Sequence, residues 1–170
     1  LIMAALGFAL LSRIDTGSSV SLVVVASVIF SLGFTPVVAL TTELVVGSAP
    51  PERAGSAAAI SETSLEFGGA VGIAILGSIV TAVYRSQMAL TQPSGMAPDA
   101  ARSAAATLGG AVAEAARLPP DLASSLLAAA RMAFVAGMQL SALVAMVGLV
   151  VTAMTALVLL RNATAASHHG

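Results

Sequence analysis

Residues 54–85 read AGSAAAISETSLEFGGAVGIAILGSIVTAVYR and set Glu62 and Glu66 inside an otherwise apolar, glycine-rich run of membrane-helix length. With a rise of 1.5 Å per residue, the two acids lie roughly 12 and 18 Å past Ala54, which puts Glu66 near mid-depth in a hydrocarbon layer about 30 Å thick. A bare carboxylate is costly there, and an ionisable residue inside a span is by default a mark of ion or substrate handling. Residues four apart share a helix face, so Gly55, Ala59, Gly69, Ile73 and Gly77 join the two acids on one stripe. A second stripe of small residues holds Ala57, Ser61, Gly68 and Gly72, while Ile60, Phe67 and Val71 gather on the remaining side. Gly68 and Gly72 form a GxxxG pair that admits a neighbouring backbone closely. Gly68, Gly69, Gly72 and Gly77 are therefore expected to pack against other helices, with Glu62 and Glu66 looking into the bundle and the large residues facing lipid.

Composition fixes the broad class. Hydrophobic residues make up 58% of the 170 and charged residues 9%, with no lysine, and the mean hydropathy is +0.99. The charges cluster mainly outside the long apolar runs instead of alternating with them, so the chain reads as an all-α, polytopic integral membrane protein. Cysteine is absent, which removes disulfides, thiol nucleophiles and thiolate metal sites. Aromatic residues at 4% leave no platform for stacking bases, so nucleic acid is not an expected partner. The chain opens at Leu1 without methionine and is apolar from the start, so it reads as a fragment entered inside a helix, not as a signal peptide.

Residues 1–11 read as the end of one span, and the first complete span covers 19–46, with Gly33 and Pro36 as its expected kink. Glu43 lies near the end of that span, at shallow depth, where an interfacial carboxylate in water or paired with Arg53 is a better reading than a transport role. Pro50-Pro51 stops the helix and Pro51-Glu52-Arg53 opens the next, over 54–84. Tyr84-Arg85 reads as an interfacial anchor. A polar insert over about 86–130 follows, too long for a turn. Its two alanine-rich segments, 98–118 and 120–131, each open on Pro-Asp and read as a helical hairpin, against the plainer alternative of a loosely ordered loop. The last span, 132–160, holds no ionisable residue, and Gln139 is its most polar member. Residues 161–170 form a short tail whose adjacent His168 and His169 read as a solvated end, so no metal is expected. Neither GxSxG, HExxH nor a phosphate loop occurs, so neither enzyme activity nor a cofactor is expected.

The run Glu43-Leu-Val-Val-Gly-Ser-Ala-Pro-Pro-Glu-Arg-Ala-Gly55, with Ala59-Ile-Ser-Glu-Thr-Ser-Leu-Glu-Phe-Gly-Gly-Ala-Val-Gly-Ile-Ala-Ile-Leu-Gly-Ser78, resembles the penultimate helix of major facilitator drug:proton antiporters of the fourteen-helix QacA/EmrB type. The resemblance implies that the spans are helices 11 to 14, the C-terminal part of a major facilitator bundle in a bacterial plasma membrane. It places the 86–130 hairpin outside the cell and the Pro50-Pro51 turn and the tail in the cytoplasm. It also implies that Glu62 and Glu66 serve proton coupling and recognition of cationic or amphipathic substrates, with Glu at the second position where Asp can stand in QacA. Arg13, Arg85, Arg102, Arg117 and Arg131 fall on the implied outer side and only Arg53 and Arg161 inside, the reverse of the usual bias, which the earlier helices of a chain normally set. The partners expected are substrate, protons and the lipid bilayer, and the full-length protein is expected to be a monomer. Two other readings stay open: a same-family exporter of an endogenous metabolite or antibiotic, and a non-transporting scaffold whose acids bond to hydroxyls on adjacent helices.

Overall fold

A computed structural model describes residues 1–167, and His168 and His169 lie outside them. Among the described residues six α-helices follow in chain order: α1 (Ile2–Leu11), α2 (Val20–Gly47), α3 (Ala54–Thr91), α4 (Pro98–Ala106), α5 (Leu108–Ala115) and α6 (Pro120–Ser167), with one 3-10 turn at Pro51–Arg53. Among the described residues three helices are long and apolar enough to cross a membrane, α2, α3 with its preceding turn, and α6, whose 18-residue apolar windows have mean hydropathies of 2.3, 1.9 and 2.5. The chain is thus an all-α polytopic membrane protein. Only 6% of each apolar window is buried, so these surfaces need lipid or further helices to cover them.

Glycine sets where the long helices meet. A Cβ at Gly7 would lie 2.8 Å from the Ala26 carbonyl oxygen, and one at Gly33 would lie 2.9 Å from the Met3 carbonyl carbon, so α1 lies directly on the α2 backbone. Phe8 and Phe30 meet edge to face at 5.0 Å, and Phe30 stacks on Phe34 at 5.3 Å. Pro36 lies inside the continuous α2, and Gly33 serves here as a contact point with α1. A Cβ at Gly137 would stand 2.8 Å from the Val80 carbonyl oxygen, which brings α3 and α6 together. Gln139 donates to the Ile14 carbonyl at 2.5 Å, tying α6 to the turn between α1 and α2.

The polar insert differs from its expected form. The helix starting at Ala54 does not stop at Tyr84; it runs to Thr91, where Pro93 forces Gln92 into extended geometry (φ −63°, ψ 134°). Gly95, at φ +100°, then turns the chain. The segment 98–118 breaks at Thr107, whose extended backbone ends α4 and whose hydroxyl accepts from the Gly110 N–H at 3.0 Å to cap α5. Gly109-Gly110 therefore sits in the first turn of α5, not mid-helix. Residues 120–131 form the opening turns of α6 and not a separate arm, because nothing between Pro120 and Gly137 breaks a helix; Arg131 ends the apolar run but not the backbone ladder. At ~1.5 Å per residue, α3 and α6 are roughly 57 and 72 Å long, well beyond a hydrocarbon layer of about 30 Å, so both project from it.

Their projecting ends and the two short helices share one core. Tyr84 and Met88 from α3, Ala104 from α4, Ala111 and Ala115 from α5, and Leu126, Ala129, Ala130 and Ala133 from α6 are buried together. Tyr84 is buried at the centre of this cap and its hydroxyl donates to the Ala104 carbonyl at 2.8 Å, so it is a core residue and not the interfacial anchor expected. Arg85 beside it is exposed and donates to the Ala106 carbonyl at 3.5 Å. Alanine dominates the core because small side chains let four helices approach closely.

Candidate functional site: the acid-bearing face of α3

Glu62 and Glu66 both lie in the first half of α3, and both are exposed in this chain. Among the described residues neither has a hydrogen-bond or ion-pair partner, and none of the described bases neutralises them. The glycines around them have open space: a Cβ added at Gly68, Gly69, Gly72 or Gly77 would meet nothing within 4 Å. Ile60 and Phe67, on the side read as lipid-facing, are 66% and 71% exposed. Both faces of α3 are therefore bare over this length, and exposure here does not separate a lipid side from a bundle side. Within this chain α3 gains its contacts near its two ends, from α2 at one and from α6 and the cap at the other.

At the first of these ends a seam forms that the sequence reading missed. The Thr42 and Ser61 hydroxyl oxygens stand 3.5 Å apart between α2 and α3, both residues half-buried. The two helices are antiparallel neighbours joined by the short 48–53 turn. In an antiparallel pair, the residue one step after each contact rotates by about 100° in opposite senses along opposite axes, so both project from the same side. The next residues are Glu43 and Glu62. Glu43 is thus level with Glu62 and on its side of the seam, with the helix axes about 8–10 Å apart. It forms no ion pair with Arg53 among the described residues, which removes one of the two readings favoured for it. The cue was present in sequence: a hydroxyl residue directly precedes each acid in Thr42-Glu43 and Ser61-Glu62.

Farther along α3, Ile73, Ala74, Gly77, Ser78, Thr81, Ala82 and Arg85 line a shallow open groove that starts about 10 Å beyond Glu66 and runs toward the cap. Its floor is helix backbone exposed by Gly77, and Ser78 and Thr81 turn their hydroxyls back to the carbonyls of Ala74 and Gly77 at 2.6 and 2.9 Å. Those hydroxyl protons are therefore satisfied within α3, which leaves Arg85 as the charged group of the groove. Among the described residues no group of three or more His, Cys, Asp or Glu side chains is placed to hold a metal.

No family model and no solved structure matches the chain. Curated proteins do. The chain is 37% identical over 145 residues to the multidrug efflux pump LfrA of Mycolicibacterium smegmatis, covering 85% of this chain and 28% of that protein. It is 35% identical over 106 residues to the methyl viologen resistance protein SmvA of Salmonella typhimurium, 61% of this chain and 21% of that one. It is 30% identical over 140 residues to the tetracenomycin C resistance and export protein of Streptomyces glaucescens, 79% and 26% respectively. The chain thus spans about a quarter of the length of the relatives it matches, with shares of 21% to 28%. Two of these relatives are named for efflux or export and one for resistance, and the three apolar helices of this chain suit a multi-pass place in a cell membrane. Similarity over 85% and 79% of the chain to an efflux pump and an export protein, in a chain with three helices able to cross a membrane, leads to one assignment: the chain belongs to the major facilitator superfamily of drug exporters.

Proposed function

We propose that the protein containing this chain exports cationic or amphipathic compounds by alternating access, driven by protons that enter through Glu62 and Glu66. The observation that carries the reading is the pair of carboxylates four residues apart on the apolar α3, with no cation paired to them among the described residues. A proton and a cationic substrate both need the same negative charge, so the two occupancies exclude each other at these groups. Glu66, the deeper of the two, holds the proton; Glu62 lies nearer the cytoplasmic mouth, where substrate enters. Gly68, Gly69, Gly72 and Gly77 serve as the packing face for helices outside this chain. The 48–53 turn faces the cytoplasm, the cap lies outside, and the transporter works as a monomer.

The similarity to a named resistance and export protein for tetracenomycin C favours a second reading, export of an antibiotic or endogenous metabolite. One experiment addresses both. Cells expressing the full-length protein are expected to accumulate less of a lipophilic cation dye, and collapsing the proton gradient should restore accumulation. Dye levels indifferent to expression, together with a metabolite retained in cells lacking the gene, would favour the second reading. Efflux that persists without a gradient would remove proton coupling.

A further inference from the structure

We propose that the cap-side end of the bundle carries a belt of three arginines, Arg13, Arg85 and Arg131, that binds the phosphodiester headgroups of anionic phospholipids.

The seven arginines of the chain fall into distinct settings. The two on the cap are neutralised locally: Arg102 by Asp99, and Arg117 by Glu114 at 3.8 Å. Arg13, Arg85 and Arg131 are exposed, and among the described residues none of them meets a carboxylate. The acid nearest to Arg13 in sequence, Asp15, is occupied by its own turn, accepting from the Gly17 N–H at 2.8 Å and the Ser18 hydroxyl at 3.0 Å. Asp121 lies about 15 Å along α6 from Arg131.

The packing contacts set the levels of the three. Val80 meets Gly137, while Tyr84 and Met88 share a core with Leu126, Ala130 and Ala133, so α3 and α6 run antiparallel. From that crossing, Arg85 lies five residues outward on α3 and Arg131 six residues outward on α6, about 7.5 and 9 Å along the axes. Arg13 adjoins Ile14, whose carbonyl accepts from Gln139, two residues inward of Gly137 and so about 3 Å the other way. The three backbones span roughly 12 Å, at the level where the apolar lengths of α3 and α6 pass into the cap. A headgroup layer is about 5–8 Å thick on each face of the bilayer, and arginine stems extend several Å toward it from either side. The planar guanidinium fork suits a phosphodiester, which accepts two parallel N–H bonds. Such a belt also accounts for the excess of arginine at this end: its counter-charge is lipid and not protein.

The inference does not depend on the efflux reading, because its readout is lipid retention. The full-length transporter, purified in mild detergent, is titrated with phosphatidylglycerol or phosphatidylcholine and analysed by native mass spectrometry. The wild type is expected to retain phosphatidylglycerol in preference, less so at high salt, with an R13Q/R85Q/R131Q variant losing on the order of fivefold in binding per arginine removed. An R102Q/R117Q variant should match the wild type. Glycerol phosphate at millimolar concentration should not compete, since it lacks the acyl chains that hold a lipid at this depth; effective competition would reassign the belt to soluble phosphates. If the triple variant fails to fold, each single variant is measured instead. Equal retention of the two lipids by the wild type, or undiminished phosphatidylglycerol retention in the triple variant or in all three singles, overturns the proposal.

Discussion

Thr42 and Ser61 bring their hydroxyl oxygens to 3.5 Å across the seam between α2 and α3. This contact fixes the register of the two helices and sets Glu43 level with Glu62 on the same side. At roughly 10 Å and an effective dielectric near 20, one unit charge acts on another with about 1.7 kcal/mol, roughly seventeenfold in binding before salt screening reduces it. Glu43→Gln is therefore expected to weaken transport of a dication by up to about tenfold, while Glu52→Gln, in the 3-10 turn, leaves it unchanged. Concentration dependence of efflux in everted vesicles checks this. Equal behaviour of the two variants would return Glu43 to a purely interfacial role.

Glu62 and Glu66 are expected to differ when replaced singly. Two carboxylates four apart repel when both are charged, and Glu66 lies deeper in the apolar run than Glu62. Gln preserves volume and polarity but does not ionise. Glu66→Gln should abolish gradient-driven efflux of every substrate, whereas Glu62→Gln should mainly weaken divalent cations and spare some monovalent ones. Proton flux measured on substrate addition to proteoliposomes tests the assignment, which fails if Glu66→Gln at normal expression still moves protons with substrate.

The glycines of the chain divide by what surrounds them. Gly137→Ala would drive a methyl to 2.8 Å from the Val80 carbonyl oxygen, and the backbone there yields only by separating α3 from α6. The expected loss is about 1–3 kcal/mol, as for other overpacked contacts. Gly17→Ala, in the exposed turn between α1 and α2 where a Cβ would meet only the Asp15 carboxylate at an ordinary 3.5 Å, should cost far less. Melting temperature of the full-length protein in detergent reads both. In the same assay Gly69→Leu and Gly72→Leu should cost more than Val71→Leu, through helices outside this chain that cover the acid-bearing face.

Tyr84→Phe removes the donor to the Ala104 carbonyl and leaves that buried oxygen unpaired. A loss of roughly 1–3 kcal/mol is expected. Deleting residues 98–118 goes further, since it strips the cover from Met88 and Leu126, both 0% exposed. The deletion should leave the spanning helices inserted but make the protein bind a hydrophobic dye at the cap end. Unchanged dye binding would mean that α4 and α5 are an appendage and not part of a shared core.

Much of this protein is legible in one dimension. A run of about twenty apolar residues has to cross a bilayer as a helix, because no other local structure satisfies its backbone there, so composition and run length determine the class. The isolation of Glu62 and Glu66 within such a run marks them without any coordinates. Element ends were less legible where charge and backbone preference diverge. Arg85 and Arg131 end the apolar runs, yet nothing near them breaks a helix, so α3 continues to Thr91 and α6 begins at Pro120. Tertiary structure alone decided which small residues carry close contacts: Gly7, Gly33 and Gly137 do, and Gly68 and Gly72 have open space in this chain. It alone buried Tyr84 in the cap and set Glu43 beside Glu62. Those relationships join residues on different helices, and their register is set by side-chain volume and hydrogen bonding at the crossings, which no local periodicity encodes.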